Sequence, residues 1–230
     1  MNKIDELLKN EKVEWKKLGE IGVFYGGLTG KSKQDFNAGN AKFITYKNVY
    51  LNPSTKLDVS DRVSIKPNEN QRKLMYGDIL FTGSSETPDE CGMSSVITTV
   101  LTEDIYLNSF CFFLRLNSPN LLLPDFSKHL FRSDILRRKI GKTASGVTRF
   151  NVSKDLMKKI EIPIPSIEAQ EKIAIILDKF TDYVNELQVE LQVELQARTK
   201  QYEYYRDMLL SEEYLNKLSN NPEILRGGTE

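Results

Sequence analysis

The chain has 230 residues, 40% of them apolar, and its 32 basic and 32 acidic side chains cancel to a formal net charge of zero. That size holds one large domain, or one domain with an extension. No apolar run approaches the roughly 18–20 residues of a membrane span, and the opening MNKIDELLKNEKVEW lacks the apolar core of a signal peptide. A cytoplasmic protein with no membrane association is therefore expected. Cys91, Cys111 and the single histidine, His129, suit a reducing compartment. The two cysteines read as buried free thiols, with one bridge between them as the alternative.

In chain order, a short amphipathic opener (Ile4, Leu7, Leu8) leads to Trp15 and Leu18. Short β-rich runs come next at Phe43–Tyr46, Val59–Ile65, Ile79–Phe81, Ser95–Val100 and Phe110–Leu116. Turn clusters separate them, among them Gly26-Gly27, Asn52-Pro53-Ser54 and Ser84–Pro88. Leu123–Lys139 has apolar residues near helical spacing, and a Gly/Ser/Thr-rich loop, Gly141–Thr148, comes after it. Val152–Ile160 reads as a short helix and strand. The pattern predicts an α+β fold: a strand-rich mixed domain over residues 1–165, a long coiled-coil helix over 166–210 and a tail over 211–230.

Ser166 is a suitable N-cap for that helix, and Glu168 favours its positive end. The apolar stripe Ile173, Leu177, Phe180, Val184, Leu187, Leu191 advances in alternating steps of four and three, the seam of a coiled coil. The tetrapeptide Leu-Gln-Val-Glu then repeats, so the step from Leu191 to Leu195 is again four. Two successive fours form a stutter, which locally unwinds a left-handed supercoil. The stripe resumes through Arg198, Tyr202, Tyr205 and Leu209. A helix from Ile167 to Leu209 spans about 65 Å and needs a partner to cover its stripe. Its acidic polar face argues against a membrane surface.

The zero net charge conceals an asymmetry. Between Lys128 and Lys159 ten basic residues face two acidic ones, a balance of +8, whereas residues 166–230 carry 13 acidic and 7 basic, a balance of −6. The basic segment, interleaved with Phe131, Phe150, Ser145 and Thr148, points to a polyanion-binding face; a solvated helix face explains part of it.

Catalytic patterns are missing. Gly26–Ser32 lacks the glycine that a phosphate-binding P-loop needs, because position 25 is Tyr25. Cys91, Cys111 and His129 are too widely spaced for a zinc site, so no metal is expected. Neither Gly83-Ser84-Ser85 nor Ser145-Gly146 forms a nucleophile elbow, and Pro88-Asp89-Glu90 reads as a turn rather than a nuclease cluster. No catalytic residue is assigned.

Several segments together carry a resemblance. Glu14–Ile21, Gly77–Phe81 and Ser145–Ser153 resemble the opening, an internal strand and the distal loop of a target recognition domain. Ile162-Pro163-Ile164-Pro165-Ser166-Ile167-Glu168-Ala169-Gln170-Glu171-Lys172-Ile173-Ala174 is similar to the junction of that domain with a spacer helix, and Gln201–Asp207 to the end of the helix. The order matches type I restriction–modification specificity subunits over most of the chain. The resemblance implies a non-catalytic subunit that binds double-stranded DNA. Such subunits dock methyltransferase subunits, which hold S-adenosylmethionine, and restriction subunits, which use ATP and magnesium; no cofactor is implied on this chain. They usually carry two recognition domains and two antiparallel helices, and read a bipartite site with a nonspecific gap. Here one domain and one helix are found. This looks like half a subunit: a natural half, a truncation or a silent cassette.

A half with an open seam is expected to pair with a second copy and to read a palindromic bipartite site. The candidate DNA-binding residues are Thr29, Lys31, Lys47, Asn48, Ser84, Ser85, Lys142, Ser145, Thr148 and Arg149, with phosphate contacts expected mainly from the basic segment. The candidate seam is Ile173, Leu177, Phe180, Val184, Leu187 and Leu191. The alternative is a coiled-coil adaptor whose globular head binds protein.

Overall fold

The structure is a computed structural model that describes residues 12–36 and 39–220. The amphipathic opener and the last ten residues of the expected tail lie outside the described residues. The chain divides into two compact units, residues 1–177 and 178–230.

In the first unit, β1 (Glu14–Lys17) leads into the short helix α1 (Leu18–Ile21) and then β2 (Gly22–Gly26). After a 3₁₀ turn at Lys33–Phe36 come β3 (Ala41–Ile44) and α2 (Tyr46–Leu51). Next are the strands β4 (Arg62–Val63), β5 (Ile79–Thr82), β6 (Ser84–Ser85), β7 (Ser94–Val96), β8 (Ile105–Leu107) and β9 (Cys111–Leu116). Then come α3 (Pro124–Leu130), α4 (Asp134–Gly141), β10 (Ala144–Ser145), β11 (Phe150–Val152), α5 (Lys154–Met157) and β12 (Glu161–Ile164).

The central sheet is antiparallel, in the order β2-β9-β5-β7. Its two middle strands are covered on both faces, and the strand period of two decides which side chain goes where. Ile79 and Phe81 join one hydrophobic cluster with Phe112 and Leu114, while Leu80 joins a second with Cys111 and Phe113. This double burial is why both strands read as unbroken apolar runs. Gly77 (φ +84°) takes the left-handed conformation open to glycine just before β5. Asp78 then accepts the Met75 N–H (2.7 Å) and pairs with Arg115 through two bonds of 2.9 and 2.6 Å. The motif Gly77–Phe81 is thus a turn and a buried ion pair feeding a core strand.

A second sheet, β4-β3-β8, contains a parallel pair, β3 with β8. A third, β10-β11-β6, carries the distal loop. β1 and β12 pair antiparallel, with Trp15 opposite Pro163, so the start of the domain is zipped to the segment that precedes the long helix.

Several local expectations change: the strand expected over Val59–Ile65 is only Arg62–Val63, and the one expected over Ser95–Val100 is Ser94–Val96. The expected helix over Leu123–Lys139 is two helices, broken at residues 131–133, where the Ser133 hydroxyl accepts the Leu136 N–H and starts α4. The expected strand Phe43–Tyr46 ends at Ile44, and α2 begins after Thr45, whose hydroxyl accepts the Asn48 N–H (3.2 Å).

The helix α6 covers Ile167–Leu209, 43 residues, and its N-cap is Ser166, whose hydroxyl accepts the Ala169 N–H (3.2 Å). Ala174 is buried in the first cluster and Ile173 packs partly against it. From Leu177 onward the stripe through Phe180, Val184, Leu187, Leu191 and Leu195 is exposed. The repeat also sets out a second exposed pair, Val189 and Val193, which lies about 200° round the helix from Leu187 and Leu191 respectively. A further helix, α7, covers Glu212–Asn220. Both cysteines are buried and free. Among the described residues, no helix is long and apolar enough to cross a membrane.

Candidate nucleic-acid interface

Four of the ten candidate DNA-binding residues meet in one place. Ser84, Ser85, Thr148 and Arg149 line a cleft of about 550 Å³ together with Tyr46, Tyr50, Glu86, Glu90 and Phe110. Each wall has a local cause. Tyr46 and Tyr50 are one turn apart on α2, so their rings share a face, with centroids 6.2 Å apart and planes within 15°. The Tyr46 hydroxyl donates to the Ser84 carbonyl (2.7 Å), tying α2 to β6, and burial pushes that hydroxyl's pKa up. β6 pairs with β11, which sets Ser85 opposite Phe150 and brings the distal loop over the cleft.

Within that loop Gly146 has φ +156°, and a Cβ there would collide with the Arg149 carbonyl. Glycine therefore permits the tight return that delivers Arg149. Its Nε donates to the Ser84 hydroxyl (3.1 Å), and its guanidinium lies 5.6 Å from the ring centroid of Phe110, itself 58% exposed.

On the opposite side the residue 86–92 turn presents Glu90. Its Oε1 accepts the Tyr50 hydroxyl (2.9 Å), and its Oε2 accepts Ser85 (3.1 Å) and Thr87 (3.0 Å). These bonds, Tyr50's foremost, hold the Glu90 carboxyl below its ordinary pKa, and the same bond raises that of Tyr50. Glu90 is therefore an ionised, exposed and conformationally fixed acceptor.

Two arginines brace the cleft from behind. Arg132 donates to the carbonyls of Ser94 (2.8 Å), Val49 (3.0 Å) and Tyr50 (2.9 Å). Arg137 donates to those of Gly92 (2.6 Å), Asp89 (2.7 Å) and Cys91 (2.7 Å). Burial lowers both pKa values, that of Arg132 to about 10. One arginine holds the end of α2 and the other the turn bearing Glu90.

This redistributes the +8 segment. Arg132 and Arg137 are internal braces, while Lys128, Arg138 and Lys158 pair with Asp125, Asp134 and Asp155. Lys139 donates to the Glu161 carbonyl and lies over Trp15. Lys142, Arg149, Lys154 and Lys159 remain at the surface. The charge count overstates the polyanion footprint, because an arginine that satisfies buried carbonyls cannot also meet a phosphate.

The other candidates fall elsewhere. Lys47 is exposed on α2, Lys142 caps the end of α4, and Ser145 is exposed on β10. Asn48 is buried and ties α2 to the loop that follows it, donating to the Lys56 carbonyl (2.8 Å) and accepting the Lys56 N–H (3.2 Å). Thr29 is exposed, with its backbone bonded twice to Gln71. Lys31 has a side chain only 2% exposed, paired with Glu69 and donating to the Ser64 carbonyl. Its ammonium is a loop brace and gives no free charge to a phosphate.

Tyr46, Tyr50, Glu86, Glu90 and Phe110 are absent from the site expected on sequence. The i, i+4 tyrosine spacing in Tyr46-Lys47-Asn48-Val49-Tyr50 is the available signal, hidden by reading Tyr46 as the end of a strand.

Aromatic faces, hydroxyls, two carboxylates and one arginine line this cleft of a strand-rich domain that continues into a long helix with an open stripe. The family model for the type I restriction modification DNA specificity domain matches residues 10–197, and the chain belongs to that family. It is 31% identical over 216 residues to the specificity subunit of the EcoR124I/EcoR124II enzyme of Escherichia coli, covering 90% of this chain and 51% of that protein. To a type I restriction enzyme specificity subunit of Haemophilus influenzae it is 41% identical over 209 residues, covering 89% of this chain and 44% of that protein. The chain thus spans about half the length of these curated relatives. Its fold is similar to the type I S subunit of M. genitalium, with TM-score 0.52 and 17% identity over 93% of this chain and 50% of that one. It is also similar to the S subunit of Thermoanaerobacter tengcongensis, with TM-score 0.51 and 18% identity over 79% and 43%. Membership of a DNA specificity family makes the chain a recognition component, not an enzyme.

Proposed function

We propose that this chain reads one half of a bipartite DNA site and pairs with a second copy through α6, so that two identical readers face a palindromic, gapped sequence. The observation that carries this reading is the exposed stripe Leu177, Phe180, Val184, Leu187 and Leu191, an apolar seam with heptad spacing that one chain leaves uncovered. Ile173 contributes less, because it packs partly against the domain core. At about 1.5 Å per residue the helix is about 65 Å long, the length of about 19 base pairs at about 3.4 Å each. The assembly docks methyltransferase subunits holding S-adenosylmethionine and restriction subunits using ATP and magnesium, in the cytoplasm, and chemistry belongs to those partners.

Methylome sequencing of a host with and without the gene tests this reading. A palindromic gapped motif that loses methylation with the gene supports it. If every methylated motif survives the deletion, or the lost motif has two different halves, the paired reader is refuted.

A further inference from the structure

The cleft holds two carboxylates, Glu86 and Glu90, against one guanidinium, Arg149. A surface built only to grip phosphates would exclude carboxylates, since like charges repel the DNA backbone. Glu90 is moreover fixed by three hydroxyls from three segments: Tyr50 on α2, Ser85 on β6 and Thr87 on the turn. Behind it, Arg137 fastens the carbonyls of Asp89, Cys91 and Gly92. A carboxylate offers about four acceptor directions. The three hydroxyls occupy three of them and leave one on Oε1, the oxygen that accepts the Tyr50 hydroxyl.

An ionised carboxylate accepts and cannot donate, which sorts the bases by their major-groove edges. Guanine offers two acceptors, N7 and O6, and is repelled. Thymine offers its O4 acceptor and a methyl group. Adenine sets its N6 donor beside the N7 acceptor, so attraction is partly cancelled. Cytosine alone presents a donor, N4, with no acceptor of its own beside it. Resting on the DNA-reading function proposed above, we infer that Glu90 is a specificity-determining residue that accepts a hydrogen bond from the N4 amino group of one cytosine in the half-site. Arg149, across the cleft, keeps the neighbouring backbone attracted despite the carboxylates.

The test is a binding selection with the full chain on a randomised duplex DNA library, comparing wild type, Glu90→Gln and Glu90→Ala. The wild type enriches a motif with cytosine at one position of each half-site. Gln, which both donates and accepts, shifts that position toward adenine and leaves the others unchanged. Ala abolishes the preference there, by about fivefold to a hundredfold, the range of one specific base contact. If both variants enrich the wild-type motif unchanged, the inference is overturned. It is overturned equally if both lose affinity for all sequences alike while far-ultraviolet circular dichroism and melting are unaltered, since Glu90 would then only hold its turn. A wild type that enriches no motif instead refutes the DNA-reading function itself, and this inference with it.

Discussion

Gln170 joins the long helix to the domain, and replacing it with methionine isolates what its amide contributes. The side chain is fully buried at 0% exposure. Its Oε1 accepts the Leu123 N–H at 2.8 Å, and its Nε2 donates to the carbonyls of Leu121 at 3.1 Å and Pro165 at 3.0 Å. Methionine has nearly the same length and volume but forms none of these bonds well, so packing changes little. Three net hydrogen bonds at about 1 kcal/mol each give about 3 kcal/mol, and the stranded Leu123 N–H adds about 1–2 kcal/mol as an unsatisfied buried donor. The expected loss is about 4–5 kcal/mol, a large part of the roughly 5–15 kcal/mol that holds a domain together. Equilibrium urea unfolding monitored by the fluorescence of Trp15 measures it. This is the chain's only tryptophan, and it lies on the strand paired with β12. Gln170→Glu is expected to cost at least as much, because it removes both donors and buries a carboxylate beside two carbonyls. A loss below about 1 kcal/mol in Gln170→Met would refute the view that this amide anchors the helix.

Leu187, 56% exposed on the stripe, is expected to be buried in the paired helix. Leu187→Lys then removes about 1.5–3 kcal/mol of burial per copy and opposes two charges, so light scattering at micromolar concentration should find monomers; unchanged dimers exclude this seam. Deleting one repeat unit, residues 191–194, shortens the helix by about 6 Å and rotates its C-terminal part by about 40°. The methylated motif should lose about two base pairs of its gap or disappear, and a motif with the original gap means the helix is a clasp rather than a ruler. Burial raises the Cys111 thiol to about 12 from an ordinary value of 9.0. The unfolded chain therefore releases this proton first, and the thiol's contribution is intact below pH 9.0 and declines as pH rises toward about 12. In that window Cys111→Ala should flatten the fall of stability by about 1.4 kcal/mol per pH unit relative to wild type; parallel curves would place the thiol in contact with water.

The helix Ile167–Leu209 is legible in the sequence because nothing interrupts it: no glycine or proline, a serine cap and a regular stripe. The core strands β5 and β9 are legible for a related reason, since burial on both faces leaves an apolar run that few other structures explain. The helix α2 is hidden. Tyr46, Val49 and Tyr50 favour strands by propensity, and the cap at Thr45 decides only once the chain has turned. The break at residues 131–133 is hidden too, because Leu130 and Phe131 continue the helical spacing while Ser133 begins a new helix. Basic residues are the least legible. Lys31, Arg132 and Arg137 are indistinguishable from surface charges in sequence, and their inward partners are Glu69 and carbonyls far along the chain. The Gln170 of the junction motif carries a family likeness, but its bonds depend on Leu121 and Leu123 packing beside it.

The distribution of charge separates two tasks that a residue count merges. Phosphate contacts position a protein on DNA, and base contacts specify the site. Lys47, Lys142, Lys154 and Lys159 lie at the surface, and they suit the first task because a flexible ammonium tolerates many geometries. The second needs groups that do not move, and here Arg132 and Arg137 are consumed. Arg132 and Arg137 convert carbonyl groups of α2 and the residue 86–92 turn into a fixed frame for Tyr50 and Glu90. Arg137 lies on α4, whose Leu136 and Ile140 share a hydrophobic cluster with Phe131, Ile162, Ile164 and Ala174. One core therefore supports both the rear of the cleft and the first turns of the long helix. If the protein measures the distance between two half-sites, it needs a reader that is rigid at this joint as well as a helix of defined length. Its arginines supply that rigidity at the expense of surface charge.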